Sequence, residues 1–469
     1  MSFELYEYKI EDLGKVITGK TPPSKISDAF SAQGIPFVTP KDMDGRRLID
    51  KTERYLSSQG VEAVRNCLLP QNSIAVSCIG SDMGKTVLLP GESITNQQIN
   101  AIVVDSEHFD YKYVYYYLST LQDDFKAIAG GSATPILNKG HFSQFKVSLP
   151  VKPVQNKIAL ILDSLDTKIE VNTEINHTLE QMAQALFKSW FVDFEPVKAK
   201  ITALEAGGSQ EDAMLAAMTA ISGKDADALA VFEREHPEQY AELKATAELF
   251  PSAMQDSELG EIPEEWSVAS ISDMGKITCG KTPSKKEPEY FGDDIPFIKI
   301  PDMHGQLFVL KTNEYLSAAG SNSQLKKLVP ANSICVSCIA TIGVVSITNE
   351  PSHTNQQINS VTPHKSSFLY YIYFCMLGLK DYLHVLGSAG SATLNVNTST
   401  FSGIKIAQPD DKVLDLFHAK CTHLFNEIKS LSVQTESLAQ LRDTLLPKLL
   451  SGEITLPEAE RALSEAENV

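Results

Sequence analysis

Two polar segments occur twice in this chain, and both carry side chains suited to phosphate or base contact. Gly19-Lys20-Thr21-Pro22-Pro23-Ser24-Lys25 returns as Gly280-Lys281-Thr282-Pro283-Ser284-Lys285-Lys286. Thr95-Asn96-Gln97-Gln98-Ile99-Asn100 returns unchanged as Thr354-Asn355-Gln356-Gln357-Ile358-Asn359. Lys and Thr beside open backbone N–H groups suit phosphate oxygens, and Asn and Gln can pair bidentately with adenine. Each segment also has a plainer reading, a solvated turn for the first and loop-tying buried amides for the second. The candidate contacts are Lys20, Thr21, Lys25, Asn96, Gln97 and Gln98 in the first copy, with Lys281, Thr282, Lys285, Lys286, Lys299, Asn355, Gln356 and Gln357 in the second. A third repeated segment, Gly131-Ser132-Ala133-Thr134 and Gly390-Ser391-Ala392-Thr393, adds Thr134 and Thr393. If the copies read different sequences, residues identical in both cannot carry the difference. Discrimination then belongs where matching loops diverge: Lys41–Arg47 against Pro301–Leu307, Lys85 against Val344, and Asn138–His141 against Asn397–Thr400. These loops add Lys41, Arg46, Arg47, Lys85, Lys139 and His304, with Arg46 and Arg47 able to reach guanine or phosphate.

The sequence carries no complete catalytic or metal-binding motif. Neither a Gly-x-Gly-x-x-Gly nor a Walker A sequence occurs, nor an Asn/Asp-Pro-Pro-Tyr motif, so base methylation or nucleotide hydrolysis by this chain alone is not expected. Cys335 and Cys338 have zinc-like spacing, but no second pair follows, and the first copy has Ala75 in place of Cys335; core packing is the expectation and no metal site is assigned. Pro301-Asp302 and Pro409-Asp410-Asp411-Lys412 only partly match a nuclease pattern. His141, His304 and His353 have no repeat-matched Ser or Cys, which leaves a hydrolytic triad unsupported.

The elements that must position these residues are themselves duplicated. Ile35-Pro36-Phe37, Asn72-Ser73-Ile74 and Ser77-Cys78-Ile79 recur as Ile295-Pro296-Phe297, Asn332-Ser333-Ile334 and Ser337-Cys338-Ile339. Each copy mixes short β-rich runs with Gly/Pro turns, among them Ser73–Ile79 and Lys85–Leu89. Helical periodicity covers Tyr111–Ile128 and Phe368–Leu386. A heptad seam follows each copy. In the first, a is Leu162, Ile169, Asn176, Ala183 and Trp190, and d is Leu165, Asn172, Leu179 and Leu186. In the second, a is Cys421, Ile428, Thr435, Arg442 and Leu449, and d is Leu424, Leu431, Leu438 and Leu445. Two equal helices with matching seams most simply pair, with polar seam residues fixing register. An antiparallel pair would set the two globular units at opposite ends of a rod. The expected fold is α+β: two duplicated globular α/β domains joined by long helices that form an antiparallel coiled-coil spacer. The boundaries read as domain one at 1–157, the first spacer helix and a central segment at 158–200, an acidic helical insert and linker at 201–265, domain two at 266–416, the second spacer helix at 417–452, and an acidic tail at 453–469.

The chain has 469 residues and a formal charge of −18. At face value that disfavours a phosphate-rich partner. The distribution changes the conclusion. Residues 201–265 hold 3 basic and 15 acidic side chains, net −12, and 453–469 hold 1 and 5, net −4. The two candidate domains are near neutral with local Lys/Arg loops, so the acidic total does not exclude a phosphate-rich partner at those loops. No stretch is long and apolar enough for a membrane span, the first residues lack the apolar run of a signal peptide, and seven scattered Cys read as reduced thiols. A cytoplasmic location with no membrane partner is expected.

The wording of three further segments resembles the specificity (S) subunit of type I restriction-modification systems. They are Ala185-Leu186-Phe187-Lys188-Ser189-Trp190-Phe191-Val192-Asp193-Phe194-Glu195-Pro196-Val197-Lys198-Ala199-Lys200, then Asp256–Pro263 with Trp266, and Leu441–Glu453. The resemblance spans essentially the whole chain. It implies two target-recognition domains, each reading one half of a bipartite double-stranded DNA site, with the helical rod setting the unread gap. It implies methyltransferase (M) subunits that bring S-adenosylmethionine and restriction (R) subunits that bring ATP and Mg. The chain itself would carry no cofactor and no catalytic residue. A scaffold without a DNA role, and a single-chain nuclease or methyltransferase, are the alternatives.

Overall fold

A computed structural model describes residues 3–129, 136–388 and 394–467. The chain forms two compact units, Met1–Asn172 with Gln434–Val469, and Thr173–Val433.

In the first unit an antiparallel sheet runs in the order Gly14–Thr18, Ile99–Val104, Ser73–Ser77, Thr86–Leu89. Ser73–Ser77 is buried at all five positions because the sheet is covered on both faces. Ile74 and Val76 face one apolar cluster with Leu88 and Ile102, while Ala75 faces another with Val87, Leu89, Ile99 and Ala101. Strand geometry sends successive side chains to opposite faces, so a strand between two cores reads as a continuous apolar run. A second sheet, Phe30–Ser31, Tyr55–Leu56, Ile35–Val38 and Ile94–Thr95, mixes antiparallel with one parallel pairing. The periodic stretch from Tyr111 is two helices, Tyr111–Ser119 and Gln122–Ala129. Asp110 caps the first through the Tyr113 N–H at 2.9 Å. Ser119 and Thr120 then donate their hydroxyls to the carbonyls of Tyr116 and Tyr117, each at 2.7 Å. Such local bonds compete with the helical ladder.

The second unit repeats this plan. Gly275–Cys279, Ile358–Pro363, Ile334–Ser337 and Val345–Thr348 lie in the same order, with Phe308–Val309 added at the edge. Its second sheet is Phe291–Gly292, Tyr315–Leu316, Ile295–Ile298 and His353–Thr354. The helical stretch again divides, into Leu369–Gly378 and Lys380–Ser388.

Two long helices, Lys152–Phe191 and Asp411–Ser451, carry the heptad seams. At 1.5 Å per residue each is about 60 Å long. All eighteen seam positions are buried or half-buried. Within the first unit the pairing is antiparallel: Arg442 Nη1 meets Asp166 at 2.8 Å and Asn172 Nδ2 meets Gln434 at 2.9 Å. Within the second unit Asn176 Nδ2 donates to Ser432 Oγ at 3.0 Å. The polar seam residues therefore bond across the pair, as register-setting residues do. Gly452, at φ +70°, ends the second long helix.

The first long helix ends at Phe191, one residue past the last seam position, Trp190. Phe194 takes a left-handed φ of +53°, and a separate helix, Glu195–Glu205, follows. The insert forms helices Gln210–Ser222, Ala226–Glu235 and Pro237–Glu248 around Ala217, Met218, Leu229 and Ala247. The linker then makes a hairpin, Met254–Ser257 with Gly260–Pro263, that the sequence did not suggest. Trp190, Phe191, Phe250 and Trp266 meet edge-to-face or tilted in one aromatic core of this unit, so the segments around Trp190 and Trp266 act first as packing.

Candidate nucleic-acid interface

The two repeated polar segments meet in space in both copies. Strand Gly14–Thr18 pairs with Ile99–Val104, which carries its C-terminal loop onto the turn before Ile99. Gly19 N donates to the Ile99 carbonyl at 3.1 Å and Lys20 N to the Thr95 carbonyl at 2.9 Å. In the second copy Gly280 N and Lys281 N bond Ile358 and Thr354 at the same two distances. Thr21 Oγ1 donates to Gln97 Oε1 at 2.7 Å, and Thr282 Oγ1 to Gln356 Oε1 at 2.7 Å. Asn96 accepts from the Gln98 N–H at 3.1 Å and donates to Gln98 Oε1 at 3.0 Å; Asn355 and Gln357 do the same at the same distances.

These bonds divide the duplicated amides by role. Asn96, Gln98, Asn355 and Gln357 tie their own turn together; the first two and Gln357 are half-buried and Asn355 is buried. Gln97 and Gln356 are exposed, each with its oxygen held by a threonine hydroxyl and its Nε2 turned from that bond. Lys20 and Lys281 are exposed beside them, as are Lys25, Lys285 and Lys286 further along the loops. Among the described residues, each copy thus presents a lysine and a glutamine amide on a braced loop–turn pair. A Cβ at Gly19 would fall 2.2 Å from the Asn96 carbonyl oxygen, and one at Gly280 2.1 Å from that of Asn355. Glycine is required here by close backbone approach.

The divergent loops differ in availability. Lys41 is exposed on a turn whose buried Asp42 accepts from Thr39 N at 2.8 Å and Glu53 N at 2.9 Å. Asp302 anchors the matching loop through Lys299 N at 2.8 Å and Asn313 N at 2.9 Å. This anchoring role went unread in the sequence, although Asp-Met recurs at 42–43 and 302–303. Lys139, His141 and His304 are exposed. Arg46 is exposed but paired locally with Asp44 at 3.0 Å. Lys85 bonds Asp82 at 2.8 Å and the Met43 carbonyl at 3.3 Å. Lys299 is half-buried and ion-paired with Glu314. Thr134 and Thr393 lie outside the described residues.

Arg47 departs from expectation. Its guanidinium donates to Glu170 twice at 2.9 Å, to Asp163 at 2.6 Å and to Tyr116 Oη at 3.2 Å, and its side chain is only 10% exposed. Burial alone would weaken its charge, but the hydrogen bonds it donates to Glu170 and Asp163 more than reverse that and raise its pKa. A fork this committed holds the first domain to its own helices and is not offered to a base.

Cys335 and Cys338 face different apolar clusters and cannot share one ion; burial pushes both thiols up to about 11. Among the described residues, Asp105, Glu107 and His108 could offer three ligand atoms to a cation. They lie on a turn already closed by Asp105 bonds to Glu107 N at 3.0 Å and His108 Nδ1 at 2.7 Å.

The family profile described as Type I restriction modification DNA specificity domain matches residues 4–181 and 263–413, one match for each copy. The chain belongs to the type I restriction-modification specificity family. It is 50% identical over 319 residues to the HindI specificity subunit of Haemophilus influenzae, covering 66% of this chain and 70% of that protein. It is 25% identical over 456 residues to the MjaIX specificity subunit of Methanocaldococcus jannaschii, covering 96% and 93%. The crystal structure of a type I restriction-modification S subunit from M. genitalium shares the fold, with a TM-score of 0.55 at 14% identity over 96% of both chains. As a member of this family the chain is a DNA sequence-specificity subunit without catalytic chemistry of its own, and its two duplicated domains are target-recognition domains. Among the described residues no helix is long and apolar enough to cross a membrane.

Proposed function

We propose that each target-recognition domain reads one half of a bipartite double-stranded DNA site, through the loop–turn pair that both copies share. The observation that carries this is the repeated bond from Thr21 to Gln97 and from Thr282 to Gln356, which leaves one lysine and one glutamine amide exposed in each domain. Lys20 and Lys281 are phosphate contacts and Gln97 and Gln356 reach base edges. Lys41, Arg46, Lys139 and His304, on loops that differ between the copies, make the two half-sites different. M subunits supply S-adenosylmethionine and R subunits supply ATP and Mg; neither group is held by this chain. The assembly works in the cytoplasm. Near-neutral reading domains fit a chain that grips DNA only with its M subunits.

Lys20→Ala and Lys281→Ala, each tested in the complex with M subunits, should weaken DNA binding several-fold and reduce the salt slope of log K by about 1. An unaltered slope in both variants would remove the loops from the interface. The long helices set the gap. Adding one heptad to each, about 10 Å, should lengthen the recognised gap by about three base pairs. Sequencing of methylated bases in cells carrying the variant reads this directly, and an unchanged gap refutes the spacer role.

A further inference from the structure

The second target-recognition domain contains a buried polar cluster that the first builds from hydrocarbon. His353 is 0% exposed, and Ser321 and Gln324 are 6% each. His353 Nε2 lies 2.9 Å from Ser321 Oγ and Nδ1 lies 3.4 Å from Gln324 Nε2. Gln324 Nε2 also donates to the carbonyl of Lys281 at 2.9 Å. Gln324 has only donors at Nε2, so His353 Nδ1 is the acceptor and Nε2 carries the proton toward Ser321. Burial favours this neutral imidazole by holding its pKa below the ordinary value.

The first domain shows what the fold itself requires at these places. Ser57 and Ser317 cap the same short helix, each accepting from a glycine N–H at 3.1 Å. That register sets Val61 against Ser321 and Val64 against Gln324, and the shared Thr-Asn-Gln-Gln turn sets Ile94 against His353. Val64 and Ile94 are fully buried. The same architecture is therefore built with three side chains that have no polar atom. The polar version leaves Gln324 Oε1 buried without a partner, which costs stability. Its distinctive bond outside the cluster goes to Lys281, in the middle of the Gly280–Pro283 loop.

We infer that Ser321, His353 and Gln324 are positioning residues that fix the Lys281 loop of the second domain and thereby sharpen base discrimination at that domain's half-site alone. His353 and Ser321 orient the Gln324 amide, and the amide holds the Lys281 carbonyl. Among the described residues the first domain shows no such brace: Val61, Val64 and Ile94, at the matching places, have no side-chain donor for the Lys20 carbonyl. The inference rests on the loop being a DNA contact, as proposed above.

The test uses the full chain with its M subunits. Gln324→Val, the triple variant S321V/Q324V/H353I, and Lys281→Ala are compared by methylation rates on duplexes carrying the cognate site or single-base changes in either half. Gln324→Val and the triple variant should lose fivefold or more of the discrimination against changes in the second half-site. Discrimination in the first half-site should stay as in the parent, which separates positioning from general destabilisation. Should the triple variant fail to fold, Gln324→Val decides. Parental discrimination in a folded Gln324→Val protein, or equal loss at both half-sites, overturns the inference. If Lys281→Ala is also silent, the loop is no DNA contact, and the proposed interface falls with it.

Discussion

Arg47→Leu, which places in the first domain the residue found at the matching Leu307, is expected to destabilise the first unit by about 3 kcal/mol. The guanidinium is the common partner of Asp163 and Glu170, and lies 4.0 Å from Asp166. Removing it strands charge that the fold has already desolvated, which is why breaking such a pair costs more than the pair contributes. The loss is not total, because Lys112 and Arg442 still pair with Asp163 and Asp166, and Glu170 is 39% exposed. A unit of this size should lose roughly 6–12 °C of its thermal midpoint. Calorimetry of the full chain measures this, and hydrogen exchange should localise the loosening to the first unit. Adding Glu170→Leu should restore part of the loss, since an apolar replacement of the whole pair is far less costly than half of one. A shift below 1 °C in the single variant would show that the network contributes nothing.

The same network gives the effect a pH dependence. Burial raises the Asp163 carboxyl, but hydrogen bonds and charge from Lys112 and Arg47 outweigh it and leave the carboxyl below its ordinary value. A group depressed in the folded state contributes stability above its unfolded pKa, about 4, and loses it as pH falls through the folded value. The gap between parent and Arg47→Leu should be full at neutral pH and shrink below about pH 4. At the matching place the second unit has Leu307 instead of an arginine. Phe308, Tyr370, Tyr373 and Phe425 meet there as aromatic edges and faces, with Lys429 over the Phe308 ring at 5.7 Å.

Gly280→Ala should produce the largest loss of DNA recognition from a single methyl group. The added carbon would sit 2.1 Å from the Asn355 carbonyl oxygen and 2.3 Å from that of Thr354. Both are backbone atoms of the turn that the loop rests on, so the loop itself must lift. Lifting it lengthens the Gly280 and Lys281 backbone bonds and separates Thr282 from Gln356. DNA binding by the complex should fall tenfold or more, about 1.4 kcal/mol, with the defect confined to the second half-site. Gly19→Ala should do the same at the first. Gly378→Ala, where a Cβ meets open space, controls for substitution alone. Parental affinity in Gly280→Ala would show that the loop–turn contact is irrelevant to binding.

Much of this protein was legible in residue order because duplication is visible without a fold. Ordered pairs such as Gly-Lys-Thr-Pro and Thr-Asn-Gln-Gln-Ile-Asn mark two copies of one domain, and the a/d seams mark two helices that need partners. Seam residues could be assigned because helical periodicity is a local property, and every one of them is at least half-buried. The helix break after Ser119 was not legible, since the apolar spacing continues across it while two hydroxyls bond backward to the carbonyls.

What only tertiary structure decided was the role of each polar side chain. Arg46 and Arg47 are neighbours of the same type, yet one faces solvent and the other is gripped by carboxylates 116 and 123 residues away. The four amides of each Asn-Gln-Gln-Ile-Asn run look equivalent in sequence, but a threonine 76 or 74 residues distant singles out the first glutamine. His353 stood as an isolated histidine until the fold set Ser321 and Gln324 against its ring and the Lys281 carbonyl against Gln324. The reason is physical. Apolar periodicity records which face is buried, a matter of nearest neighbours along the chain. A polar group's function depends on which donor or acceptor lies within about 3 Å of it, and that is set by segments brought together only when the chain folds.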